Sequence, residues 1–191
     1  PADVEPLKYF QGRVAFEEGR YDDAVGLLEG ANIEDKPGSY LRLAKDTRDI
    51  VKNHQRAESE HFIFFYPKGK EAVLVPYALE TLEAIHRAMA EDLGWTPPGG
   101  KIRVEVVNNA RELAKVSTLT EKQIRTTGTI AICKFNKLMV TSPKAVAQGY
   151  DWQDTLAHEY IHLVVSQMSR NTVPIWLHEG LAKFLESRWR G

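Results

Sequence analysis

Cysteine is almost missing from this sequence, and Cys133 is the only one. That excludes an internal disulfide, a CxxC redox pair and a cysteine-built zinc cage, so any metal has to be held by histidines and carboxylates. Charge of one sign is also missing. The 25 Lys+Arg and 26 Asp+Glu leave a formal net charge of -1, with no Lys/Arg block, so there is no electrostatic footprint for nucleic acid or for an anionic membrane. No apolar run reaches the roughly 18 residues of a membrane span, and no charged-then-apolar leader opens the chain. A GxSxG elbow and a phosphate-cradling glycine loop are both lacking, which leaves serine hydrolase and nucleotide-binding readings without local support.

What is present fits a soluble, folded chain of 191 residues, 43% hydrophobic and 27% charged. This length accommodates a small helical module, residues 1–56, joined to a compact catalytic module, residues 57–191. In the first, the spacing of Gly12, Ala15, Gly19, Tyr21, Ala24, Leu28 and Ala31 predicts two short helices meeting at Gly19-Arg20-Tyr21. A third helix is expected over about Ser39 to Lys52. From His61 the aromatic run ending at Pro67 reads as a strand. A long helix should follow Pro76 and stop at Gly94. Further strands are expected at Ile102–Val107, Thr129–Cys133 and Leu138–Thr141, with a short helix over Ala110–Val116. Helices at about Asp151–Ser169 and Trp176–Arg188 close the chain. Strands first and helices last predict an α+β lobe with a small mixed sheet.

The penultimate helix carries His158-Glu159-Tyr160-Ile161-His162, an HExxH. Its two histidines are one turn apart and project from one face, so both imidazoles reach one ion. Zn²⁺ in a hydrolase takes three protein ligands and keeps a position open, so a third ligand has to come from elsewhere. Glu179, at the start of the last helix, is the choice. The Asn171-Thr172-Val173-Pro174 segment reverses the chain between the two helices. His178 is the rival ligand, but neighbouring helical positions point about 100° apart, so only one of the two faces the ion. Such a donor set leaves the metal positive enough to bring the pKa of water toward about 7. Glu159, beside a ligand without being one, is then placed to take the proton.

HExxH followed by Trp176-Leu177-His178-Glu179-Gly180-Leu181-Ala182 resembles the gluzincin metallopeptidases, in particular bacterial peptidase MA-like domains, over about Phe62 to Arg188. The resemblance implies zincin-like packing of the two helices against the sheet, one Zn²⁺ per chain on His158, His162 and Glu179, Glu159 as general base, and a peptide or protein substrate. It also implies that Leu138–Thr141 with Ser142-Pro143 is the edge strand along which substrate pairs. The helical segment resembles one tetratricopeptide repeat, with Pro37 near its terminal proline, and this implies a docked protein partner.

Other readings stay open. The helical module could be the working part, in a non-catalytic interaction protein with a structural or degenerate zinc site, or the bond cleaved could be a non-peptide amide. No oxyanion donor is evident beyond Tyr150 or His178. Trp176 and Leu177 are expected in the core, Gly180 at a close approach of helices, and His54, His61 and His86 at the surface or a boundary. Arg125–Thr129 reads as a strand connection. The start at Pro1 points to a cleaved or trimmed product, and the end at Arg190-Gly191 to a lost lobe that closes the cleft. Compartment is not fixed, with a bacterial extracytoplasmic setting favoured over a cytoplasmic one.

Overall fold

Three runs of β-branched, aromatic and long aliphatic residues build the centre of the sheet. They are β2 (Phe62–Tyr66), β3 (Ile102–Val107) and β5 (Lys137–Thr141). In this computed structural model, which describes residues 4–190, these three are mutually parallel. The edges are β1 (Gln55–Glu58), antiparallel to β2, and β4 (Ala131–Lys134), antiparallel to β5, giving the order β1-β2-β3-β5-β4. The turn from β4 to β5 has only two residues, Phe135 and Asn136, both at positive φ (57° and 53°). This is the handedness that matches a tight hairpin to strand twist.

Strand alternation decides what each face of the sheet meets. Phe62, Phe64, Val104, Val106, Leu138 and Val140 point to one face, where α4 (Val75–Leu93) and α7 (Trp152–Ser169) complete the main core. Pro76 sits in the first turn of α4, where its missing N–H costs nothing, and Gly94 in the left-handed conformation ends it. The other face is covered by α5 (Ala110–Val116), α6 (Glu121–Thr127) and the amino-terminal helices α1 (Val4–Glu17), α2 (Tyr21–Glu29) and α3 (Tyr40–Val51). A Cβ at Gly12 would stand 2.7 Å from Leu28 Cγ, so glycine is what lets α1 and α2 close on each other. The last helix, α8 (Ile175–Leu185), lies against α7.

On this second face the sheet carries charge in its interior. Glu105 and Lys137 are both fully buried, with Lys137 Nζ 3.2 Å from Glu105 Oε2. Tyr21, reaching down from α2, accepts from Lys137 Nζ at 2.6 Å and donates to Glu105 Oε1, which also accepts from Arg103 Nε. Burial by itself raises the Glu105 carboxyl, but Lys137, Arg103 and the Tyr21 hydroxyl hold it down at about 2. The helical segment is thus fixed to the sheet by a closed polar network.

Eight α-helices and a five-stranded mixed sheet among the described residues make the fold α+β, as expected from the order of elements. The expected division between residues 56 and 57 falls inside β1. Pro1 and Gly191, on which the reading of the chain ends rested, lie outside the described residues. Besides short 3-10 turns, two elements were not expected. β1 has the sequence Gln-Arg-Ala-Glu, mostly exposed, and exists through its pairing with β2. α6, started by a capping box of Thr120 and Gln123, takes up Arg125 to Thr127 of the segment read as a connection, and Gly128 and Thr129 lead on to β4. The edge strand also needs correction. β5 lies inside the sheet between β3 and β4, so the free edge on that side belongs to β4. No described helix is long and apolar enough to cross a membrane.

Candidate metal centre

α7 is buried along most of its length, and this sets its rotation. Leu156, Ala157, Tyr160, Ile161, Leu163 and Val164 all face the core. Tyr160, inside the HExxH, is fully buried with its ring edge-on to Phe62 at 5.5 Å. Its hydroxyl meets His86 Nδ1 at 2.8 Å. His86 is therefore a core residue, a correction to its expected place at the surface or a boundary, because the phenol needs a polar partner once buried. With Tyr160 and Ile161 held inward, His158 and His162 turn to the opposite side, toward α8.

The reversal between α7 and α8 uses Arg170 and Asn171, both at positive φ (52° and 58°), and Pro174 precedes the first turn of α8. This brings Glu179 back over the histidines. Glu179 Oε2 lies 3.6 Å from His158 Nε2 and 3.5 Å from His162 Nε2. One ligand atom from each of the three residues lies within 4.8 Å of the others. Donors about 2.0–2.1 Å from a tetrahedral ion stand about 3.3–3.4 Å apart, so the separations from Glu179 need only a small contraction to hold zinc. The donor set, two imidazoles and a carboxylate, also fits that ion.

The outer nitrogens of both imidazoles are engaged. His158 Nδ1 meets Glu186 Oε2 at 2.9 Å, and His162 Nδ1 meets His178 Nδ1 at 2.6 Å. His178 therefore points at the back of His162 and not at the ligand cluster. Burial, with the neighbouring His158 and His178, pushes His162 down to about 4 against the pull of Glu179, so it is neutral near pH 7, the form that ligates metal.

Glu159 is buried beside this cluster. Burial and the Glu179 charge raise its carboxyl to about 8, while the Cys133 backbone N–H pulls it down. It lines an open cleft of about 390 Å³ together with His158, His162, Glu179 and the β4 residues Ala131 to Cys133. That space exceeds the roughly 30 Å³ of one water many times over and admits part of a larger molecule. In β4, Lys134 pairs with Lys137 across a two-residue turn, so the backbone groups of Cys133 and Ala131 point away from β5; the Cys133 N–H meets Glu159 there, and the Cys133 carbonyl and the Ala131 groups face the free edge. Burial raises the Cys133 thiol, which keeps it protonated.

Several expectations about neighbouring residues change. Trp176 is 74% exposed and not core, because α8 offers α7 the side that carries Ala182 and Leu185. A Cβ at Gly180 would meet nothing within 4 Å, so no close helix approach requires this glycine. Tyr150 donates to the Thr141 carbonyl oxygen, away from the histidines. Glu186 and Ser166, which touch His158 and His178, were missed. Glu186 stands seven residues after Glu179, and that two-turn spacing on one helix face is the signal that could have found it. Comparison of the chain with protein families, with curated proteins and with solved structures gives no match.

Proposed function

We propose that this chain is a zinc-dependent hydrolase of peptide bonds, with His158, His162 and Glu179 as metal ligands and Glu159 as general base. One observation carries the reading. Three ligand atoms converge beside a buried carboxylate for which no Lys or Arg partner stands among the described residues. Among the described residues Glu179 likewise meets only the two histidines, so the chain supplies no Lys or Arg where a metal cation would sit.

Zinc bound there would activate water at neutral pH and polarise the carbonyl to be cleaved. The chain's own residues do the rest. Glu159 takes the proton of the attacking water and returns it to the leaving amine, a task suited to a carboxyl raised toward neutrality. Glu186 and His178 keep the two imidazoles in place. The free edge of β4 offers backbone groups to an extended chain. An extended peptide is accordingly the proposed substrate. The gluzincin-like packing of α7 and α8 and the tetratricopeptide-like character of α1 and α2 belong to the same proposal.

A second reading has its own support. Leu7, Phe10 and Val14 form a stripe on α1 and are 56%, 58% and 53% exposed, a pattern that suits a protein partner on the helical segment. Glu159→Gln separates the two readings. As a peptidase the protein loses at least about 100-fold in turnover and keeps its zinc. As a binding protein with an inert site, neither form cleaves peptides.

A further inference from the structure

The two histidines of α7 are steadied by different chemistry. His158 has a carboxylate behind it, Glu186. His162 has a second imidazole behind it, with Nδ1 2.6 Å from Nδ1 of His178, and His178 Nε2 in turn lies 3.0 Å from Ser166 Oγ. The ring planes are 19° apart with centroids 4.6 Å apart, the arrangement of two imidazoles meeting edge to edge. Two nitrogens so close need one proton between them. A metal held jointly with Glu179 needs the lone pair of His162 Nε2, which faces that carboxylate, and this puts the proton of that ring on Nδ1. His162 therefore donates to His178 Nδ1. The proton of His178 is left on Nε2, where it donates to Ser166 Oγ. The reverse order, with Ser166 Oγ donating to His178 and His178 to His162, would leave the His162 proton on Nε2 and close that nitrogen to a metal.

We propose that His178, anchored by Ser166, is the positioning residue that fixes the tautomer and ring orientation in which His162 presents Nε2 to a divalent metal. This rests on the zinc reading above. His178 and Glu179 are consecutive on α8 and point about 100° apart, so one turn of one helix brackets both edges of the His162 ring. A metal-bound imidazole donates its other N–H to a partner, and losing such a partner weakens metal binding about 10- to 100-fold.

The test is zinc affinity, measured by competition with a chromophoric chelator, alongside the visible spectrum of the cobalt-substituted protein. His178→Leu keeps the bulk and removes the acceptor. It should weaken zinc binding by about 10-fold or more and alter the cobalt bands. His178→Asn, whose Oδ1 accepts where Nδ1 did, should restore most of the affinity. Wild-type affinity and an unchanged spectrum in His178→Leu, with binding abolished in His162→Ala, overturn the positioning role and leave the zinc site standing. Equal weakness in the Leu and Asn variants also overturns it, since only bulk would then matter. Should His178→Leu fail to fold, Ser166→Ala carries the test. It removes the acceptor that fixes the His178 tautomer, a several-fold loss is expected, and unchanged affinity overturns the role. A wild-type protein that binds no zinc overturns the zinc reading and this role together.

Discussion

The same sheet gathers ionisable side chains on one face and at one edge, and the two clusters behave differently. Beneath α2, Glu105, Lys137, Tyr21 and Arg103 satisfy one another, and both Glu105 and Lys137 are wholly removed from solvent. Beside β4, Glu159 and Glu179 meet only histidines and a backbone N–H, with the Glu179 side chain 60% exposed. The first cluster is closed, so adding an ion would break contacts. The second is open, and no Lys or Arg pairs with Glu159 or Glu179 among the described residues. Polar residues brought together by a fold therefore read as structural when their partners come from the chain, and as a site when one partner is lacking.

The largest effect that would sharpen this contrast is expected from Glu105→Ala. It leaves Lys137 buried without its counter-ion and should cost about 3–5 kcal/mol in denaturant-induced unfolding. A smaller loss, about 1–3 kcal/mol, is expected for Tyr21→Phe, which removes one donor to Glu105 and one acceptor for Lys137. Acid titration probes the same cluster without a substitution at Tyr21. The Glu105 carboxyl sits at about 2 in the folded protein against an ordinary 4.5, so its contribution is complete above about 4.5 and is lost as pH falls toward 2. Unfolding curves across that window should show a steeper loss of stability in the wild type than in Glu105→Gln. The smallest effect belongs to Glu179→Ala in metal-free protein, where the exposed carboxylate leaves stability nearly unchanged. A cost there comparable to that of Glu105→Ala would erase the distinction.

The convergence of His158, His162 and Glu179 was readable because the local rules that bring them together are strong. His158 and His162 share a helix face by spacing alone, and a reversal at Asn171–Pro174 is enough to return Glu179 to them. The partners behind the ligands were harder to see. Glu186 is one more acid on a helix, and His178 competes on paper with the residue next to it. β1 stayed hidden because a polar four-residue edge strand has no periodicity of its own. Lys137 and Glu105 were hidden for a related reason. A charged residue in a strand reads as facing water, and only the helices packed over it show otherwise. The exposure of Trp176 depends likewise on which side of α8 meets α7, a tertiary choice that helical spacing leaves open.

The most direct test of the central claim is the zinc content of the protein purified without added metal, set against a His158→Ala/His162→Ala variant. About one zinc per chain, absent from the variant, is the predicted result. No zinc in the wild type, even after incubation with excess metal, would contradict the account.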